Sequence, residues 1–226
     1  SNVFYLDIEG NKKQVTFDNY KGIVNGQAIS RSEFGISDGL FWSPDGRYIA
    51  YYKKDESRVK SYPLVHVNTR IAELDPIPYP MAGMESEQVW VGIYDTELEK
   101  SVLISDHTFG KDQYLTNLTW APDSKNIYLA ILNREQSHMK LKQFDAASGK
   151  ERKTLFEELA STYVEPLQGL QFLPHQKDHF IWFSEKDGYD HMYLYNTNGD
   201  LIKQLTSGDF VVTANLGFDA KGRYLY

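Results

Sequence analysis

The pentapeptide Gly35-Ile36-Ser37-Asp38-Gly39 fits the G-x-S-x-G pattern of a serine nucleophile. In a nucleophile elbow, the serine lies on a sharp turn between a preceding strand and a following helix. Here the polar segment RSEF precedes the pentapeptide, and the strand-like segment LFWSP follows it. The order of elements is reversed, so we interpret Ser37 as a turn residue.

Two histidines, His175 and His179, are four residues apart, which is the spacing of metal ligands on a helix. They fall instead in a proline-bearing turn and at the start of a strand, and no acid or third histidine extends the pattern. Cysteine is absent, so disulfides and cysteine-based zinc sites are excluded. We therefore predict no metal and no cofactor. The segment from Asn117 to Thr119 fits the N-glycosylation pattern but adjoins the Trp120 repeat anchor, where a sugar would crowd the fold.

Charge and hydropathy narrow the class of protein further. The chain has 24 basic and 31 acidic residues, for a net charge of −7. Nucleic-acid binders need basic faces, so we expect no nucleic-acid partner. No apolar run approaches the roughly 18 residues that a membrane-spanning helix needs, and no secretory signal is recognisable at the start. Aromatic residues make up 14% of the chain, which favours strands over helices.

The elements that position these residues are predicted by a repeat. An aromatic residue, a Pro/Asp/Gly turn and an apolar strand recur in that order, at Trp42 (WSPDGRYIAY), Trp120 (WAPDSKNIYL), Phe172 (FLPHQKDHFIWF) and Phe218 (FDAKGRYLY). The last two intervals, 52 and 46 residues, are close to the roughly 40–50 residues of a propeller blade. The first interval, 78 residues, indicates an insertion near 55–86.

A second repeated phrase follows the anchors: a strand ending in Tyr or Phe and then Asp or Asn, a polar turn, and another strand. Each full unit therefore predicts a four-stranded antiparallel blade. We predict a single all-β domain over 1–226, a partial β-propeller of about three full blades with partial blades at both ends. The exposed strand edges of an open arc predict self-association. Residues 19–40 interrupt the propeller repeat, and we expect a short helix or turn from about Ser30 to Gly35.

Four segments in order then carry a resemblance to a known family: SEFGISDGLFWSPDGRYIAYYK, YPMAG, YLTNLTWAPDS and EKDGYDHMYLY. They resemble the propeller region of the dipeptidyl peptidase IV family, within the prolyl oligopeptidase clan, and are most similar to its bacterial prolyl tripeptidyl peptidase branch. The resemblance implies a serine exopeptidase that releases X-Pro dipeptides or X-X-Pro tripeptides. Its catalytic triad would belong to a C-terminal α/β-hydrolase domain outside this chain, so we expect no catalytic residue here and an inactive fragment.

Substrate-binding residues are also carried over by the resemblance. In the family, a pair of glutamates on an excursion from the propeller binds the free amino group of the peptide. The second glutamate matches Glu33, and the first falls on Ser32, which is not acidic. Leu167 occupies a stretch that, in the family, neighbours the extended substrate pocket. From composition alone, we expect Glu33 to be a solvated or helix-capping acid and Leu167 to be an ordinary loop residue.

The resemblance predicts two further properties. The partners would be peptides with a free N-terminus and the hydrolase domain of the same protein. The location would be periplasmic, secreted or on the cell surface of a bacterium. The alternatives are a non-catalytic propeller that serves as a binding module, which the WSPDG phrase fits equally well, and an inactive peptidase homologue.

Overall fold

The computed structural model describes residues 1–104 and 112–226 and consists almost entirely of antiparallel sheet. It begins with a two-stranded hairpin of β1 (Phe4–Leu6) and β2 (Lys12–Gln14). Val3 and Val15, which flank the hairpin, are buried against residues of the first blade. The leading partial blade therefore packs on the sheet that follows it.

The first blade has four strand positions, and two short strands share the innermost one. The strand β3 (Ile23–Asn25) pairs with the second half of β5 (Tyr48–Asp55), and β4 (Leu40–Trp42) pairs with its first half. The remaining strands of this blade are β8 (Gln88–Asp95) and β9 (Lys100–Leu103).

Between β5 and β8 the chain forms a separate exposed hairpin of β6 (Ser61–His66) and β7 (Glu73–Pro78). This hairpin lies inside the range 55–86 that the sequence marks as an insertion.

The second and third blades are regular four-stranded meanders. The second comprises β10 (Gln113–Trp120), β11 (Asn126–Asn133), β12 (His138–Asp145) and β13 (Glu151–Leu159). The third comprises β14 (Gln171–Leu173), β15 (Gln176–Ser184), β16 (His191–Asn196) and β17 (Leu201–Gln204). Their strand orders follow the chain, so each blade is built from consecutive hairpins. The predicted all-β partial propeller with three full blades is confirmed.

Blades pack face to face, which explains the composition of their central strands. All six residues from Ile127 to Leu132 on β11 are buried, because neighbouring sheets cover both faces of this strand. A strand buried on both faces has a continuous apolar run instead of an alternating one. The outer strands β9 and β17 are mostly exposed.

The repeated aromatic anchors join one blade to the next. The indole Nε1 of Trp120 donates to the carbonyl of Phe41 at 3.0 Å, and its ring stacks on Tyr48. Such a bond pairs a polar group that would otherwise be buried without a partner. At the end of the chain the expected strand from Phe218 is reduced to a single bridge with Leu225. A strand needs bridges along successive residues, and in this part of the described chain the bridge between Phe218 and Leu225 is the one that forms.

Candidate functional site

The candidate site lies on an excursion that leaves the innermost strand of the first blade. Gly26 donates its N–H to the carbonyl of Tyr52 at 2.8 Å, and Tyr52 donates back to the carbonyl of Gly39 at 3.0 Å. Residues 27–38 therefore leave the strand and return to it at the same point of β5. A Cβ on Gly39 would overlap the backbone of Gln27, so the two ends of the excursion touch.

Within the excursion, the segment Ser30–Gly35 consists of tight turns in place of a regular helix. Ser30, Arg31 and Ser32 have φ angles of 51°, 52° and 65°, and Phe34 has a φ of 54°. Left-handed conformations cost non-glycine residues roughly 1–2 kcal/mol each. Strain of this kind persists only where the surrounding structure holds it, and it is common at functional sites. We call this segment the Glu33 turn.

Apolar contacts to two different cores hold the Glu33 turn in place. Ile29 and Ile36, which flank it, belong to the core between the first and second blades. Phe34 belongs to the core between the second and third blades, with its ring 4.8 Å from that of Tyr114. The turn therefore bridges two inter-blade interfaces and is fixed relative to three blades.

Glu33 itself lines a cavity of about 140 Å³ between the turn and the first two blades. Its side chain is exposed, and its carboxylate has no hydrogen bond or ion pair with any residue in 1–104 or 112–226. The cavity is lined by Ser30, Arg31, Glu33, Tyr79, Pro80, Ser86, Glu87, Val89, Gln113, Tyr114 and Arg134. A carboxylate in this position is available to a cationic ligand.

Two arginines on the cavity wall are held by aromatic rings. Arg134 donates from Nη1 to the hydroxyl of Tyr114 at 2.8 Å, and its guanidinium lies 5.4 Å from the centre of that ring. The guanidinium of Arg31 lies 5.0 Å from the centre of the Tyr79 ring. Guanidinium groups donate several hydrogen bonds in a fixed geometry. The cavity therefore presents a free carboxylate beside donors that suit a carbonyl oxygen.

A second carboxylate in the cavity, that of Glu87, was not identified from the sequence. Its Oε1 accepts the backbone N–H of Ser30 at 2.6 Å, and the residue is 8% exposed. Lys54 lies 3.9 Å from its Oε2 and pairs more closely with Glu56, at 2.7 Å. Glu87 is distant from Glu33 in the chain and belongs to no recognised motif, so no sequence signal could have found it.

The other residues considered in the sequence have separate positions. Ser32 is exposed and does not line the cavity. Leu167 is half exposed and also lies outside the cavity, but its carbonyl oxygen packs directly on Gly35, next to Glu33. Ser37 is exposed, and its hydroxyl donates to its neighbour Asp38.

The remaining residues lie on separate elements and do not line the cavity. Asn117 donates its amide to the carbonyl of Pro166 at 2.9 Å, which commits its side chain to an internal contact. His175 follows β14, whereas His179 lies on β15 with its Nδ1 2.9 Å from Asp178. A third histidine, His191 in the segment EKDGYDHMYLY, is buried, with the hydroxyl of Thr206 and the carbonyl of Gly208 each 3.0 Å from its ring nitrogens.

A larger cavity, of about 340 Å³, lies between the second and third blades and does not include Glu33. Two charged groups on its wall have partners within the protein: Glu158 accepts from the indole of Trp182 at 3.1 Å, and Lys186 donates to the hydroxyl of Tyr195 at 2.8 Å. Burial raises the pKa of Glu158 and lowers that of Lys186. These contacts favour an inter-blade structural role for Glu158 and Lys186, and the smaller cavity is the better candidate site because it includes Glu33, the acid that the family resemblance identifies.

Successive four-stranded antiparallel sheets, packed face to face with an excursion on the innermost strand, define a member of the β-propeller class. This chain belongs to the family described as the dipeptidyl peptidase IV N-terminal region, whose family model matches residues 1–226. The resemblance to the dipeptidyl peptidase IV family noted in the sequence is thereby confirmed. No helix in the described part of the chain is long and apolar enough to span a membrane.

Individual relatives agree with this family. A Coccidioides posadasii protein named "Probable dipeptidyl-aminopeptidase B" is 29% identical over 96% of this chain and 26% of its own length. A solved structure from Bacteroides ovatus, described as a candidate dipeptidyl aminopeptidase IV, is 40% identical with a TM-score of 0.86, over 96% of this chain and 35% of that one. The crystal structure of Porphyromonas gingivalis dipeptidyl peptidase 4 is 27% identical with a TM-score of 0.86, and the match covers 98% of this chain and 32% of that one. The chain thus spans between a quarter and about a third of the length of these relatives.

Proposed function

We propose that this chain is the substrate-gating and N-terminus-recognising propeller portion of a serine exopeptidase that removes X-Pro dipeptides or X-X-Pro tripeptides. The catalytic triad would come from a C-terminal α/β-hydrolase domain outside this chain, in line with the fraction of its relatives that the chain spans. The observation that carries the proposal is the unpaired carboxylate of Glu33, on a strained turn at the cavity.

In this proposal, Glu33 accepts hydrogen bonds from the protonated α-amino group of the peptide. Arg134, on the same cavity wall, donates to a carbonyl oxygen of the peptide backbone. Fixing both groups sets the distance from the N-terminus to the scissile bond, and this positioning converts binding energy into rate. The presence of one free carboxylate, with Ser32 in the place of the other, suits the register of either a dipeptidyl or a tripeptidyl enzyme.

The test compares Glu33→Gln with the wild-type full-length protein on X-Pro and X-X-Pro p-nitroanilides, each with a free or an acetylated amine. Removing a charge-assisted hydrogen bond costs roughly 1.5–3 kcal/mol, so kcat/KM for free-amine substrates falls by about 10- to 100-fold. Rates for acetylated substrates stay unchanged. Mass spectrometry of the released peptides gives the register.

Asp38→Asn is the matched control, because it removes an exposed acid from the same excursion outside the cavity. It should leave kcat/KM unchanged. If Glu33→Gln behaves like this control, the assignment of the site is wrong. If the full-length protein cleaves none of the substrates, the chain belongs to a binding module or to an inactive homologue.

A further inference from the structure

The buried carboxylate of Glu87 is not explained by the packing of the first blade. Its side chain is 6% exposed and lies just before the first residue of β8. A charged group is costly to bury unless it has partners. The partners of Glu87 are the backbone N–H of Ser30, on the excursion, and more distantly the ammonium group of Lys54.

The first of these partners is the start of the Glu33 turn. Ser30 is the first of three successive residues with left-handed conformations. Its N–H donates to Glu87 Oε1 at 2.6 Å, a contact that joins residues 57 positions apart. Hydrogen bonds from a backbone N–H to an ionised carboxylate are short and stronger than neutral ones.

The second partner anchors Glu87 to the sheet. Lys54 lies on β5, the strand that pairs with both halves of the innermost strand, and its side chain is 11% exposed. Its ammonium group lies 3.9 Å from Glu87 Oε2 and 2.7 Å from Glu56. The carboxylate of Glu87 is therefore fixed between the rigid blade and the strained turn.

We propose that Glu87 is a positioning residue for Glu33: it holds the Ser30 end of the turn, so that the Glu33 carboxylate faces the cavity. This inference rests on the proposed function. Glu87 acts through the turn and does not touch the amine, because its own oxygens face Ser30 and Lys54. Without this contact, Ser30, Arg31 and Ser32 relax from their left-handed conformations, and Glu33 leaves its position.

Two substitutions in the full-length protein separate the reach of this side chain from its charge. Glu87→Gln keeps an acceptor oxygen at the same distance and loses the charge. Glu87→Asp keeps the charge and is one methylene too short to reach Ser30. Both are milder than truncation to alanine. Glu85→Gln is the control, since this residue is 63% exposed in the same segment and pairs only loosely with Arg58.

If Glu87 positions Glu33, Glu87→Asp raises KM for free-amine X-Pro p-nitroanilides by about tenfold, which corresponds to one lost charge-assisted contact. The kcat value and the rate on acetylated substrates stay within twofold of wild type. Glu87→Gln keeps a weaker, neutral hydrogen bond to Ser30 and raises KM by less than Glu87→Asp does, whereas Glu85→Gln keeps the wild-type KM. The opposite pattern, a wild-type KM for Glu87→Asp and a raised KM for Glu87→Gln, overturns the proposal, as does a wild-type KM for both Glu87 variants.

Hydrogen exchange of residues 27–36, measured by mass spectrometry on the same variants, tests the positioning without reference to activity. We expect faster exchange in Glu87→Asp than in Glu87→Gln, because glutamine keeps a hydrogen bond to Ser30, and wild-type exchange in Glu85→Gln. Unchanged exchange in Glu87→Asp rejects the positioning role even if Glu33 binds the amine. A different result would separate the two proposals. If exchange is faster in Glu87→Asp but Glu33→Gln has no effect on activity, Glu87 holds the turn and the proposed function is wrong.

Discussion

Substituting Gly35 by alanine tests whether the Glu33 turn is held by its contact with the segment before the third blade. Gly35 has a φ of +71°, and a Cβ at this position would overlap the carbonyl oxygen of Leu167 by about 1 Å. The position of a Cβ is fixed by the backbone, and the carbonyl oxygen of Leu167 is a backbone atom, so neither atom can rotate away. The turn and the segment at Leu167 must therefore move apart.

The cost of Gly35→Ala has two parts, and a second glycine separates them. Gly46, in the turn between β4 and β5, has a φ of +74° with no atom within 4 Å of the position of a Cβ. Gly46→Ala therefore carries only the left-handed penalty, roughly 1–2 kcal/mol. Gly35→Ala adds an overpacking cost of about 1–3 kcal/mol, for a total of about 2–5 kcal/mol.

The assay is urea unfolding of the two variants and wild type, followed by tryptophan fluorescence. We expect Gly35→Ala to lower the free energy of unfolding by more than Gly46→Ala does, by about 1 kcal/mol or more. In the full-length protein, only Gly35→Ala should reduce kcat/KM for free-amine peptides, because a displacement near 1 Å at a binding group costs up to about 100-fold. Equal unfolding free energies for the two variants would refute the reasoning about the contact with Leu167.

Two further substitutions test the packing and the titration of the blades. Phe34→Ala should lower the free energy of unfolding by about 3–5 kcal/mol, because it leaves a cavity in the core between the second and third blades. Phe34→Leu should lower it by less, since leucine fills more of this cavity. Equal losses for the two variants in urea unfolding would contradict this expectation. Burial, with repulsion from Glu185, raises the pKa of half-buried Asp190 to about 6. Between about pH 4 and pH 6, Asp190 therefore holds a proton in the folded protein that it has released in the unfolded chain, where its pKa is the ordinary 3.8. The free energy of unfolding should therefore fall as pH rises from about 4 to about 6 and then level off. Asp190→Asn should remove this part of the pH dependence, about 1 kcal/mol after screening. Parallel curves of melting temperature against pH for the variant and wild type would show that Asp190 does not contribute.

The sequence predicted those parts of the fold that local signals determine. The WSPDG phrase specifies a turn with glycine at a left-handed position, and Gly46 occupies such a position. The apolar run at Ile127–Leu132 specifies a strand buried on both faces. These signals, repeated at blade-like intervals, were sufficient for a propeller.

The rest of the site depends on contacts between distant segments. Nothing in the three residues of β3 indicates that they extend the same strand position as β4, because only their shared partner β5 defines it. Glu33 was identified through family resemblance, whereas Glu87 and Arg134 meet it only in the folded chain. The left-handed conformations of Arg31 and Ser32 oppose local preference, so propensity could not predict the shape of the turn.

The meeting of Gly26 and Gly39 at one point of β5 has a consequence for how this protein can change. The strand halves on either side of the excursion are registered on β5 independently of each other. A segment of another length can therefore replace residues 27–38 without shifting the register of either half, provided that it fills the inter-blade positions of Ile29, Phe34 and Ile36. The loop on the innermost strand can therefore change in length and sequence, by evolution or by design, while the strand pairing of the blade stays the same.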